Sequence, residues 1–108
     1  MSALSVKFND NDVQISKFAR AIALPIRVFI LRMIIENGNA ISKKTFYTDT
    51  YNSRTIDKHI LELKSLGIIK TNTAQSVVTY YVDQKLFDQM SVKFNLFLDC
   101  TNRKSNNS

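Results

Sequence analysis

The sequence predicts a mainly α-helical domain with one small β-hairpin, with its elements in the order α-α-α-α-β-β-α. Two observations predict this class. Apolar residues recur at helical spacings of three and four before Gly67 and again from Gln84 to Leu98, and between these stretches a run rich in Ile, Val, Thr and Tyr is interrupted by the polar TNTAQS. The 108 residues suffice for a single core. We therefore assign residues 1–100 to one domain and residues 101–108, TNRKSNNS, to a polar C-terminal tail.

The first two predicted helices are VQISKFARAIA and a segment within LPIRVFILRMIIENG. The first places Ile15, Phe18 and Ile22 on one face. In the second, Pro25 suits the first helical position and Gly38 suits the end. The second helix also has an apolar face wide enough for the centre of the domain. That face consists of Ile26, Phe29, Ile30, Met33 and Ile34.

A short helix is predicted next, in SKKTFYTD, with Ser42 as its N-terminal cap. Lys43 and Lys44 then fall in its first turn, where the helix dipole does not favour cations. A bound phosphate would offset that cost, and two solvated surface lysines are the simpler alternative. The net charge of +6 also favours an anionic partner such as nucleic acid.

The fourth predicted helix, about residues 52–66, has an apolar back and a cationic front. Asn52 or Ser53 can cap it. Its apolar side carries Ile56, Ile60, Leu63 and Gly67, and its opposite side carries Arg54, Lys58 and Ser65. His59 lies at the edge of the apolar arc, where a packed or hydrogen-bonded histidine is commoner than a metal ligand.

The last predicted helix, from Gln84 to Leu98, carries an unusually aromatic face. Its members are Leu86, Met90, Phe94 and Phe97, with Phe87 and Leu98 beside them. Such a face must be covered, either by the rest of the chain or by a second copy of it.

This order of elements is that of a winged helix-turn-helix domain. The segment FARAIALPIRVFILRMI resembles the "A-L-x-x-P-x-R-x-x-I-L" helix pair of the ArsR-like transcriptional regulators. NSRTIDKHILELKSLGIIK resembles their recognition helix, "S-x-x-T-V-S-x-H-L-x-x-L-x-x-A-G-L-V", and VVTYYVD resembles their second wing strand. The matching positions, within residues 16–83, are Leu24, Pro25, Arg27, Thr55, Ile56, His59, Ile60, Leu63, Gly67, Ile68 and Ile69. The resemblance implies a homodimeric regulator that binds specific double-stranded DNA, usually a repressor.

In such a domain the fourth helix is the recognition helix and enters the major groove. We expect Arg54 and Lys58 to read bases there, because both donate hydrogen bonds to the acceptor edge of guanine. Asp57 can accept from cytosine, restrain a neighbouring base or point away, and the sequence leaves these alternatives open. The groups expected on the DNA backbone or in the minor groove are Lys43, Lys44, Asn52, Ser53, Thr55, Lys70, Asn72, Thr73, Gln75 and Ser76.

The resemblance also implies that the first and last helices form the dimer interface, here residues 11–23 and 84–98. The expected interface residues are Ile15, Phe18, Ile22, Leu86, Met90, Phe94 and Phe97. Metal-sensing ArsR-like proteins carry a Cys-x-Cys pair near the short helix, or carboxylate and histidine ligands along the last helix. This chain has SKKTFYTDT at the first place and no histidine at the second. We therefore expect no metal at those positions and no cofactor, and the effector is unknown.

Three other functional classes are alternatives to DNA binding. The main alternative is a winged-helix module that binds an acidic protein and no DNA. Catalysis is not expected, because the chain has one histidine, one cysteine, two glycines and no glycine-rich phosphate loop. The single cysteine, Cys100, is either incidental or redox-sensitive.

The sequence also bears on the cellular location. No apolar run approaches the roughly 20 residues that a bilayer requires. The segment MSALSVKFNDND lacks the apolar core of a secretory signal. We therefore expect a cytoplasmic protein.

Overall fold

The computed structural model describes residues 7–48 and 50–106 and confirms the predicted fold class. Its elements are α1 (Asp10–Ala21), α2 (Pro25–Glu36), β1 (Ile41–Ser42), a 3-10 helix (Lys43–Phe46), α3 (Ser53–Ser65), β2 (Ile69–Ala74), β3 (Val77–Val82) and α4 (Gln84–Asn106). In the described residues, no helix is both long enough and apolar enough to span a membrane.

Side-chain caps determine where α1 and α3 begin. Asn9 Oδ1 accepts from the amide of Asp12 at 2.8 Å, and Asp12 Oδ2 accepts from the amide of Asn9 at 3.2 Å. This reciprocal pair is a capping box. At α3, Asn52 Oδ1 accepts from the amide of Thr55 at 2.9 Å, so Asn52 is the cap and Ser53 is the first helical residue.

The short third helix differs from the prediction. Ile41 and Ser42 are extended and pair antiparallel with Tyr80 and Thr79 of β3. Ser42 is the N-cap residue of the short helix, as predicted, but its hydroxyl lies 3.2 Å from the Thr45 hydroxyl and makes no capping hydrogen bond to the backbone. Pairing with β3 holds the chain extended up to Ser42, and only four residues remain for a 3-10 turn. The strand partner lies almost 40 residues away along the chain, so local periodicity could not reveal it.

The last helix is longer than predicted. It continues to Asn106 and includes most of the segment assigned to a polar tail, while residues 107 and 108 lie outside the described residues. The apolar periodicity stops at Leu98, but the following TNRKSN contains neither proline nor glycine, so nothing in it breaks the helix.

The predicted hairpin is confirmed and forms the wing. Strands β2 and β3 pair from Ile69 with Val82 to Ala74 with Val77. Gln75 and Ser76 join them with φ values of 53° and 66°, as in a two-residue type I′ turn. The sheet order is β1-β3-β2, so β2 forms an edge that is exposed beyond Ile69.

One core joins all these elements and holds α3 in place. Residues from α1, α2, α3, the sheet and α4 are buried together, including Phe18, Ile30, Ile34, Phe46, Ile56, Leu63, Ile69, Val82 and Met90. Asn39, at φ 59°, accepts from the amide of Val82 at 2.8 Å and donates to its carbonyl at 3.1 Å. That paired contact fixes β3 to the end of α2.

Candidate nucleic-acid interface

Burial decides which face of α3 points outward. Ile56, Ile60 and Leu63 are at most 3% exposed and pack into the core. Arg54 and Lys58, on the opposite side, are exposed. The amphipathic pattern predicted for this helix is therefore confirmed, and its cationic side faces outward.

The amino-terminal end of α3 is also open. Asn52 and Ser53 are exposed, and Thr55 is half-buried. The Asn52 side-chain oxygen is occupied by the cap, but its amide nitrogen is still able to donate. The surface around Arg54 therefore offers polar donors beside a guanidinium group.

Asp57 of α3 contacts the 3-10 helix and the residue that follows it. Its Oδ1 accepts from the Tyr47 hydroxyl at 3.0 Å and lies 3.3 Å from Lys43 Nζ. The hydrogen bond to Asp57 raises the pKa of Lys43 above its usual value. Because both partners are more than two fifths exposed, the pair adds little stability, and its main effect is on side-chain position.

The two lysines of the 3-10 helix therefore differ. Lys43, expected as a solvated or phosphate-binding lysine, is paired with a carboxylate of α3, whereas Lys44 is exposed. The sequence contained no signal for this difference. It depends on the turn of the 3-10 helix, which brings residues 43 and 47 onto the same side of α3.

The wing lysine is also tied to the protein. Lys70 Nζ lies 2.6 Å from Asp83 Oδ2, and Asp83 Oδ1 accepts from the Leu86 amide at 3.1 Å at the start of α4. The hydrogen bond from Lys70, followed by that from the Leu86 amide, lowers the pKa of Asp83. Gln75 is exposed at the tip of the wing. Of these two predicted wing contacts, Lys70 belongs to the base of the wing and Gln75 to its tip.

Leu61 is an exposed residue of this surface that the sequence reasoning missed. It is 66% exposed and lies seven residues, nearly two turns, after Arg54. That spacing was the available signal, because residues seven apart share a helix face. The outward face of α3 thus carries Arg54 and Lys58 at its start and the exposed Leu61 further along.

Behind this face, the side chain of Arg27 on α2 contacts both α1 and α3. Its Nε donates to His59 Nδ1 at 3.2 Å, and Nη1 donates to the carbonyl of Arg20. Its Nη2 lies 4.0 Å from Glu62 Oε2, and the side chain is only 13% exposed. His59 is therefore hydrogen-bonded and partly buried, as predicted for a histidine at the edge of the apolar arc.

The single histidine makes a pH dependence of stability testable. Burial, then Arg27, then Lys58 lower the pKa of His59 below its usual 6.5. The unfolded chain therefore takes up this proton first, so folding stability should fall as the pH drops below about 6.5 and should stop falling below the folded-state pKa. Urea unfolding between about pH 7.5 and pH 5 should show this loss in the wild type.

The control is His59→Gln, which cannot titrate but keeps an acceptor for Arg27. Most carboxylates titrate below this range, so the variant should show a clearly smaller pH dependence. Equal pH dependence in both proteins would contradict the assignment to His59.

The α1–α4 pair covers part of the apolar face predicted for a dimer. The Phe18 ring lies 5.2 Å from the rings of both Phe87 and Phe94. Phe18 is 7% exposed and Met90 is 1% exposed. These two side chains belong to the chain's own core, and little of either is left exposed for contact with a second copy. Three of the other predicted residues pack partly buried against that core, namely Ile22, Leu86 and Phe94.

An apolar surface nevertheless remains along α1 and the outer part of α4. Phe97 is 52% exposed and lies in a groove between the two helices, whose lining also includes Ile15, Leu96 and Cys100 and the polar residues Asn9, Asn11, Asp12 and Lys93. Other large apolar side chains exposed on these two helices are Val13, Val92 and Leu98, and Phe8 is exposed just before α1. The predicted positions Ile15 and Phe97 thus lie on this surface, which we call the α1–α4 face.

Known structures share this arrangement of elements. HlyU from Vibrio cholerae N16961 superposes with a TM-score of 0.62 at 17% sequence identity, over 84% of this chain and 99% of HlyU. The crystal structure of an ArsR family transcriptional regulator superposes with a TM-score of 0.64 at 18% identity, over 89% of this chain and 94% of that one. No protein-family model matches the sequence, and no curated protein does. The chain has the winged helix-turn-helix fold, which it shares with these two structures.

Proposed function

We propose that this protein is a dimeric transcriptional regulator that binds specific double-stranded DNA and acts as a repressor. The observation that carries the proposal is the outward cationic face of α3, with Arg54 and Lys58 exposed opposite a buried apolar side. In winged helix-turn-helix domains this helix enters the major groove, and its first residues reach base edges. The resemblance to ArsR-like regulators and the fold shared with one of them support the same function.

Each part of the surface has a distinct task in this proposal. Arg54 and Lys58 donate to guanine in the major groove. Lys44 and the polar residues Asn52 and Ser53 hold phosphates on either side. Gln75 contacts the adjacent backbone or minor groove from the wing. Lys70 holds the base of the wing through its ion pair with Asp83. Because Asp83 offsets its charge, Lys70 attracts DNA phosphates less than an unpaired lysine would.

The dimer in this proposal forms through the α1–α4 face. Phe97 and Leu96 are more than half exposed, and monomeric proteins rarely leave several large apolar side chains together in water. A symmetric pair would place two recognition helices on one duplex, in half-sites about one helical turn apart.

Selection of bound duplexes from a random pool tests the proposal. We expect a palindromic motif, with binding that weakens steeply as salt rises because phosphate contacts release counterions. DNA binding would be contradicted if the selection enriched no duplex sequence and the amount of DNA retained by the protein did not depend on salt. A reporter gene behind the selected motif then tests repression, and transcription that rises with the protein would identify an activator.

One observation favours a protein partner as a second candidate function. Leu61, on the outward face of α3, is 66% exposed, and Val77 at the start of β3 is 55% exposed. Apolar side chains among cations also suit an acidic protein with an apolar centre. In that case random duplexes would show no enrichment, and Leu61→Ser would abolish partner binding. If the protein binds DNA, the same substitution should only alter motif preference, because Leu61 could touch a thymine methyl group.

A further inference from the structure

Asp57 is an anion on the cationic face of α3. At about 100° per residue, Asp57 lies about 60° from Arg54 in one direction around the helix axis. Lys58 lies about 40° from Arg54 in the opposite direction. Its side chain is 41% exposed, so it is accessible from outside the domain. In the proposed complex, a helix that brings Arg54 to base edges also brings this carboxylate close to them.

The carboxylate is held in one orientation. Lys43 Nζ and the Tyr47 hydroxyl both approach Oδ1, at 3.3 and 3.0 Å. No hydrogen bond from the described part of the chain reaches Oδ2. Two contacts from a separate element restrain the side-chain torsions and leave one oxygen as an oriented acceptor. Lys43 also compensates the negative charge, which lowers the repulsion from nearby phosphates.

The chemistry of base edges then selects the partner. An ionised carboxylate only accepts hydrogen bonds. In the major groove guanine offers acceptors at N7 and O6, and thymine offers an acceptor at O4, so both repel it. Adenine places its amine beside its own N7 acceptor, whereas cytosine offers the N4 amine and has no acceptor of its own on the major-groove edge. Cytosine is the base that matches a lone carboxylate oxygen.

We propose that Asp57 is a specificity-determining residue that selects cytosine beside the base pair read by Arg54, with Lys43 and Tyr47 as positioning residues. The inference rests on the proposed DNA-binding function and adds one named base preference to it. It also gives Lys43 and Lys44 different roles. Lys44 acts on phosphate, whereas Lys43 acts through the orientation of Asp57.

The test is selection from a random duplex pool with wild type, Asp57→Ala and Asp57→Asn. Wild type should enrich cytosine at one position per half-site, next to the position whose preference Arg54→Ala removes. Asp57→Ala should lower the preference at that single position by roughly fivefold or more and leave the others intact. Asp57→Asn should move the preference toward adenine, because a carboxamide both donates and accepts and so matches N7 and N6.

The positioning residues and a charge control complete the design. Lys43→Met and Tyr47→Phe should weaken the cytosine preference without shifting it to another base. Asp88→Ala removes the same charge from an exposed site on α4 and should leave the motif unchanged. Helical circular dichroism and the thermal midpoint of every variant exclude misfolding as the cause of a changed motif.

The outcomes separate this inference from the function on which it rests. A clear wild-type motif that Asp57→Ala and Asp57→Asn leave unchanged at every position would reduce Asp57 to a structural link and overturn the inference alone. A wild-type pool without enrichment would overturn specific DNA binding and, with it, the role of Asp57.

Discussion

Arg54→Ala should abolish preference for guanine at one position of each half-site and weaken binding to the selected duplex. An arginine that donates two hydrogen bonds to guanine contributes about 1–3 kcal/mol of discrimination, and a dimer would lose this at both half-sites. Binding to scrambled duplexes should change little, because those sequences largely lack the guanine that Arg54 would contact. Fluorescence anisotropy with the selected and scrambled duplexes at several salt concentrations measures both effects.

Lys44→Ala is the matched control for this result. It removes the same single charge from an exposed position near α3. Because phosphate contacts carry no sequence information, it should weaken both duplexes alike and flatten the salt dependence by about one counterion per subunit. If Arg54→Ala behaves in the same way as Lys44→Ala, Arg54 holds phosphate and does not read a base.

Phe97→Asp should split the proposed dimer. Phe97 is 52% exposed, so the substitution leaves the core of the single chain intact. In a symmetric pair each copy would bury an unpaired carboxylate in an apolar contact, at a cost of about 3–5 kcal/mol each. Light scattering at micromolar concentration should report twice the chain mass for the wild type and the single chain mass for the variant.

The position chosen for the charge matters for this experiment. Asn95→Asp places the same charge on a different exposed side of α4 and should leave the dimer intact. Phe94 is unsuitable, because its ring packs on Phe18 and its replacement would damage the chain's own core. A wild type with the single chain mass, or a Phe97→Asp variant that remains paired, would contradict the assigned interface.

Much of the candidate DNA surface was predictable from spacing. The outward positions of Arg54 and Lys58 follow from the helical period of Ile56, Ile60 and Leu63, which must lie in the core. The partners of Asp57 were not predictable. They come from a 3-10 helix whose position depends on strand pairing between Ile41 and Tyr80, residues distant in the sequence. A contact made across elements has no local period, so neither residue identity nor spacing marks it.

For the aromatic face of α4, too, the sequence predicted one part and only the structure decided the other. Apolar periodicity alone predicted that Met90, Phe94 and Phe97 lie on one side of a helix and need a cover. It could not decide what covers them, because a face hidden by the same chain and a face hidden by a second chain require the same residues. The packing of α1 on α4 places Phe18 over the first part of that face and leaves Phe97 in water.

The sequence by itself therefore determined the order of the four α-helices and the β2–β3 hairpin, the inward sides of α2 and α3, and the cationic character of α3. Those properties depend on chain-local spacing and on the free energy of removing apolar groups from water. Only the tertiary structure decided that Lys43 pairs with Asp57 while Lys44 is exposed, that Lys43 and Tyr47 both contact Asp57 Oδ1, and that Phe97 is exposed while Met90 is buried. Each of these depends on distances between elements, which are set when all the apolar faces pack together at once.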